Sequence, residues 1–260
     1  MTAHRIPGRG FRWPARAAAL ALLPLLGWPI RAQADLTHDG RETVVLLHGL
    51  GRSPQSMERL GRRLEARGYR VVSVAYASRH ESVEAIARHL DIELARRCPE
   101  RAVRVHFVTH SLGSIVVRYY IKHHRPANLG RVVMLGPPNG GSELVDLMRR
   151  IPIVRHHMGP SRGQLGTDSS SLPARLGPVD FELGVIAGTR TWNPLFSWLL
   201  PGADDGMVTV ERTKVEGMSD FLAVPRTHTF MMKGPDVIAQ TIAFLRHGEF
   251  DHDCPDRTGA

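Results

Sequence analysis

At 260 residues and 42% hydrophobic, the chain carries enough apolar material for one sizeable core or two small ones. Its formal charge is +9, but five of its 34 basic residues lie in the first 34 positions, where there is no acidic residue. What remains, 29 basic against 25 acidic residues, is a scattered +4, which argues against a nucleic-acid partner.

Residues 1–16 are basic, 17–30 (AAALALLPLLGWPI) are apolar, and Ala32-Gln33-Ala34 offers a small-residue cleavage site. That order is the plan of a secretory signal peptide. The apolar stretch falls short of the about 20 residues that a spanning helix needs. The expectation is therefore an exported protein, periplasmic or secreted, with residues 35–260 forming one domain. Cys98 and Cys254, the only two cysteines, are a candidate disulfide in such a compartment.

Beyond the leader, ETVVLLHGLG (42–51) reads as a buried strand running into a glycine turn. SPQSMERLGRRLEARG (53–68) predicts a helix with Ser53 as N-cap and Gly68 as stop. A strand (69–78) and a helix (81–98) follow, then VHFVTH, Ser111, and a helical run from Leu112 to Lys122. GRVVMLGPPNGG (130–141) predicts a fourth strand and SELVDLMRRI (142–151) a short helix. Residues 152–181 show no period. FELGVIAGTR and DFLAVP predict the last strands, and GPDVIAQTIAFLRHG a closing helix. Strands separated by crossover helices imply an α/β fold: a mostly parallel central sheet with helices on both faces and a loop-rich, lid-like insertion at about 141–202.

In such a sheet ligands bind beyond the carboxyl ends of the strands, and the residues that stand out lie there. Ser111 sits on a strand-to-helix turn that exposes its hydroxyl, the context of a nucleophile elbow. A serine is a weak nucleophile and needs a base and an orienting acid. His228, after the last strand, is the candidate base. Asp205, with Gly206 freeing the backbone behind it, is the candidate acid, and Asp204 is the fallback. The amide of Leu112 at the helix start, and that of Leu50 in the HGLG loop, are candidate donors to a developing oxyanion. His48 and His110 read as supports of loop conformation, with the His110 side chain pointing away from the base.

LLHGLGRS, VTHSLGS, DDGMVTVERT and RTHTF, in this order, resemble the lipase and esterase branch of the α/β-hydrolase superfamily, over residues 43 to 247. The resemblance implies an acyl-enzyme mechanism with Ser111, Asp205 and His228 as triad and Leu50 and Leu112 as oxyanion donors. It departs at one place: Thr109 stands where G-x-S-x-G has its first glycine, so Thr109 must find room against the neighbouring strand.

TWNPLFSWLLPG (191–202) is too apolar for an ordinary exposed loop. Trp192, Phe196 and Trp198 are candidates either for core packing or for an acyl-binding wall or lid that meets lipid. The histidine doublets at 123–124 and 156–157 do not face one way on a helix, so neither a metal nor a cofactor is expected. The expected substrate is a small-molecule or lipid ester. The same triad would serve an acyltransferase or amidase, and a catalytically silent binding protein is the reading from another class.

Overall fold

TVVLL, strand β1 (Thr43–Leu47), is buried at every position. A strand without polar alternation needs cover on both faces, and here it has it. The computed structural model describes residues 40–98, 103–191 and 194–253, with main chain only at 155 and 194–196. Residues 1–34, Trp192, the Phe196 side chain and Cys254, with the Cys98–Cys254 pair, lie outside the described residues.

Five further strands join β1: β2 (Arg70–Val74), β3 (Val105–His110), β4 (Leu129–Leu135), β5 (Leu183–Gly188) and β6 (Asp220–Val224). All run parallel in the order β2-β1-β3-β4-β5-β6, so the chain reverses its direction of travel across the sheet next to β1. Helices α1 (Glu58–Glu65), α2 (Val83–Arg97) and α3 (Leu112–His124) alternate with the first strands. After β4 come α4 (Glu143–Arg150), α5 (Pro152–His157), α6 (Pro160–Gly163) and α7 (Leu172–Leu176). Between β5 and β6 lie α8 (Pro194–Leu199) and α9 (Val210–Thr213), and α10 (Pro235–His247) closes the fold.

Alternate residues of each strand feed two separate cores. Val45, Leu47, Phe107, Val132 and Met134 pack with Ile86 and Leu90 of α2 and Ile115 and Val116 of α3. Val44, Leu46, Val108, Val133 and Leu135 pack instead with Leu60 and Leu64 of α1 and Val237 and Phe244 of α10. Each such side chain taken wholly out of water contributes about 1.5–3 kcal/mol, so the sheet is held by its two faces together.

Ser53 precedes a 3-10 turn, Pro54–Met57, and its side chain caps nothing; the α-helix begins only at Glu58. Ser82 does cap α2, its Oγ accepting from Ala85 N at 3.3 Å. In the stretch without a period, α5 to α7 are four to six residues long. Helices of one turn repeat no apolar position often enough for a 3.6-residue pattern to register. The span 141–202 also contains β5, an inner strand of the sheet. Among the described residues no helix is long and apolar enough to cross a membrane.

Candidate active site

Between the last residue of β3 and the first of α3 the chain must turn within one residue, and Ser111 takes φ 52° and ψ −119° to do it. It is the one non-glycine with positive φ among the described residues. Such a conformation costs about 1–3 kcal/mol and persists only where neighbours enforce it. Here Ser111 N donates to Leu135 O at 3.0 Å, and Ser114 N donates back to Ser111 O at 2.9 Å. Gly113 lets α3 cross close over β1, since a Cβ there would lie 2.9 Å from the Leu47 carbonyl oxygen. Thr109, in the place of the motif's first glycine, is fully buried, with Oγ1 2.8 Å from Ser114 Oγ. It is accommodated there with its hydroxyl bonded to the helix it supports.

The loop after β6 brings His228 over this turn. Its Nε2 lies 2.9 Å from Ser111 Oγ, and its Nδ1 lies 2.7 Å from Asp205 Oδ2. Asp205 is buried, and its second oxygen accepts from Met207 N at 3.0 Å and Val208 N at 2.9 Å. These backbone donors fix the carboxylate rotamer. His228 N also donates to Asp205 O at 3.0 Å, tying the two loops together at the backbone. Gly136, just past β4, has no side chain to lose: a Cβ there would come within 3.1 Å of both Asp205 Oδ2 and His228 Nδ1. The fallback acid, Asp204, is occupied elsewhere, accepting from Ser197 Oγ and from Gly206 N.

His110 does not turn away from the candidate base, His228. Its ring centroid is 4.9 Å from that of His228, and its Nε2 lies 2.9 Å from the His228 carbonyl oxygen. Strand alternation sets which face of the sheet His110 occupies; it says nothing of where the 225–229 loop will pass. Burial, and then the charge of His228, hold its pKa well below 6.5. His48 stacks on Tyr76 with ring centroids 4.1 Å apart, and burial lowers its pKa too. Tyr76 donates to the His48 carbonyl oxygen, which anchors the HGLG loop.

In that loop the amides of Gly51 and Arg52 are engaged, by Ser78 Oγ and Gly49 O. Among the described residues, the N–H groups of Leu50 and Leu112 have no acceptor. They flank the serine, and Leu112 N adds the positive end of the α3 dipole. Ser111 and His228 open into a cavity of about 180 Å³, walled by Leu50, Leu144, Val145, Met148, Leu165 and Val208. Arg52 and Arg162 also line it, and sequence reasoning had singled out neither. Trp198 does not line it and is 84% exposed. Among the described residues no group of three or more His, Cys, Asp or Glu is arranged to hold a metal ion.

A profile of the alpha/beta hydrolase family matches residues 44–256. No curated protein matches the chain significantly. Among solved structures, a mature-form lipase of Bacillus licheniformis superposes with TM-score 0.63 at 17% identity, over 81% of this chain and 93% of the other. A phospholipase of Legionella pneumophila gives TM-score 0.64 at 18% identity, over 80% of this chain but only 59% of its own. A metagenomic carboxyl esterase gives TM-score 0.58 at 20% identity, over 73% and 65%. At these identities the likeness is one of fold.

Proposed function

The chain belongs to the alpha/beta hydrolase family, and from that premise we propose that it is an exported serine hydrolase of carboxylic esters. The observation that carries the reading is the unbroken chain Ser111 Oγ, His228, Asp205, with separations of 2.9 and 2.7 Å, at the floor of a largely apolar cavity.

With Nδ1–H donating to Asp205, the neutral ring of His228 presents Nε2 as a base toward Ser111. In the proposed cycle Ser111 Oγ attacks the ester carbonyl carbon and its proton passes to Nε2. The carbonyl oxygen, now an oxyanion, accepts from the amides of Leu50 and Leu112. Collapse expels the alcohol, which takes the proton from His228, and leaves the acyl group on Ser111. Water then attacks the acyl carbonyl, giving its proton to His228; the acid leaves and Ser111 Oγ recovers that proton. Asp205 accepts from Nδ1–H throughout and holds the ring. Leu144, Val145, Met148 and Leu165 suit an apolar acyl group.

Two parts of the reading have other supports. Export rests on residues 1–34 and is tested by N-terminal sequencing of protein recovered outside the cytoplasm. Contact with lipid rests on Ile151, Ile153, Trp198 and Leu199 of the α4–α5 and α8 segments, all exposed.

The experiment is labelling by a fluorophosphonate, with hydrolysis of p-nitrophenyl esters of increasing chain length, for the protein and for Ser111→Ala. Labelling and turnover that both vanish in the variant are expected. A folded protein that neither labels nor turns over any ester would overturn the proposal and favour a binding role.

A further inference from the structure

Two arginines line the cavity and a third lies beside them, and the fold is built to bring them together. Ser78 is the knot: its Oγ accepts from Gly51 N at 2.9 Å, and its carbonyl oxygen accepts from Ser161 Oγ at 2.6 Å. The HGLG loop, the turn after β2 and α6 are thereby locked to one another. Each contributes one arginine: Arg52, Arg79 and Arg162. Glycines give them room. A Cβ on Gly51 would lie 2.7 Å from Arg79 Nε, and one on Gly159 would lie 2.2 Å from the Arg79 carbonyl oxygen.

Arg52 and Arg162 line the cavity itself, and no Asp or Glu does. Neighbouring arginines show what this chain does when a guanidinium is structural. Arg149 bridges to Asp168 at 2.8 Å, Arg212 to Glu143 at 2.8 Å, and Arg226 to Asp236 at 2.8 Å. The side chains of Arg52, Arg79 and Arg162 make no ion pair or hydrogen bond among the described residues. The nearby acid Glu84 is already engaged by Gln164 Nε2 at 2.7 Å. Arg162 is half buried and feels the like charge of Arg79, and both effects disfavour its ionised form. Arg162 is a partly desolvated cation without a counter-charge, which is costly, while Arg52 and Arg79 are exposed; an arginine fork matches a carboxylate or phosphate with two parallel hydrogen bonds.

We infer that the cavity selects esters bearing a compact anion, a carboxylate or a phosphate, within a few atoms of the ester carbonyl, with Arg162 and Arg52 as the groups that hold it. The inference rests on Ser111 being the acyl-accepting serine at this cavity. Arg79 adds positive potential behind the pair, drawing the anionic ester toward the serine.

Matched esters test it. Mono-p-nitrophenyl glutarate is compared with p-nitrophenyl pentanoate, and the p-nitrophenyl ester of 3-phosphonopropionate is run beside them to tell carboxylate from phosphate. 4-Acetoxybenzoate against 4-acetoxybenzamide puts the charge on the alcohol side. Expected is a preference of about tenfold or more in kcat/KM for an anionic ester, the scale of one charge-assisted hydrogen bond. It lies in KM, weakens with added salt, and collapses toward one in Arg162→Gln and in Arg52→Gln. No preference in any pair, or one that both substitutions leave intact, overturns the inference. Calorimetric binding of the same esters to Ser111→Ala needs no turnover and decides the matter independently. If the unaltered protein hydrolyses no ester at all, the serine reading fails, and this binding preference, present or absent, still judges the anion site.

Discussion

His110 carries His228 from below: its Nε2 donates to the His228 carbonyl oxygen at 2.9 Å, and the two rings lie at an interplanar angle of 47°. The donor role requires the proton on Nε2, which leaves the buried Nδ1 as an unpaired acceptor. A second proton would have to enter a pocket that already faces His228, His48 and Arg52. Its folded pKa therefore lies well below 6.5. Below about that pH the unfolded chain binds a proton that the folded ring refuses, so stability is lost as pH falls, by up to about 1.4 kcal/mol per pH unit for this one site. Melting temperatures between pH 7.5 and 5 should fall more steeply for the protein than for His110→Gln. Part of the slope should persist in the variant, because His48 and His106 also have lowered pKa values. Parallel curves would mean that His110 is protonated in the fold.

Asp204 and Asp205 are adjacent acids whose bonds divide their work. Asp205 meets His228, whereas Asp204 closes the acid loop through Ser197 and Gly206. Asn at position 205 would offer an amide to Nδ1 and favour the tautomer with Nε2–H, which cannot take the serine proton. Turnover in Asp205→Asn should drop by a factor on the order of 10³–10⁴ with the melting temperature little changed. Asp204→Asn should show the reverse, a loss of about 1–3 kcal/mol in stability with kcat largely kept. Equal kinetic losses in both would remove the distinction.

Ser111, Asp205 and His228, which the structure joins in one hydrogen-bonded chain, could be picked out as candidates from their motifs, their chain order and their places past strand ends, because strand ends in a parallel sheet converge. Side-chain direction and loop path were not readable in the same way. His110 was expected to face away from His228, and it does not: it packs against that ring and lines the same cavity as Ser111. The loop carrying His228 passes over the face that His110 occupies, a fact of tertiary path and not of period. The arginines of the cavity were hidden for a similar reason. Arg52, Arg79 and Arg162 are far apart in sequence, and only the bonds of Ser78 that join their loops bring them together beside the cavity. Trp198 was a candidate for core packing, for a wall of the pocket or for a lid that meets lipid; at 84% exposure and outside the cavity lining it is neither of the first two, which leaves the third.

Thr109 and Ser114 form a buried hydroxyl pair, 2.8 Å apart, linking the strand before the elbow to the helix after it. Thr109→Val keeps the shape but strands the Ser114 hydroxyl at a fully buried site, at a cost of about 1–3 kcal/mol. Adding Ser114→Ala removes the orphan, and part of the loss should return. A double-mutant cycle in urea reads this as a coupling energy of about 0.5–3 kcal/mol. Strict additivity would mean that the two hydroxyls are satisfied separately, and that Thr109 is held by packing alone.

Trp198 decides between a lipid-facing role and an idle surface residue. At 84% exposure it has little packing to lose, so Trp198→Ser should shift stability by no more than about 0.5 kcal/mol. It also lies outside the cavity lining, so turnover of short esters below their solubility limit should change less than twofold. Long-chain esters in micelles are another matter. There Trp198 and Leu199 of α8, together with Ile151 and Ile153, would meet the aggregate before the ester reaches Ser111. Removing the largest of these side chains should weaken that attachment, lowering the rate at subsaturating micelle concentration and sparing the rate at saturation. Equal changes on dissolved and micellar substrate would assign Trp198 to the structure of α8 instead, and the lipid contact would lose its main support.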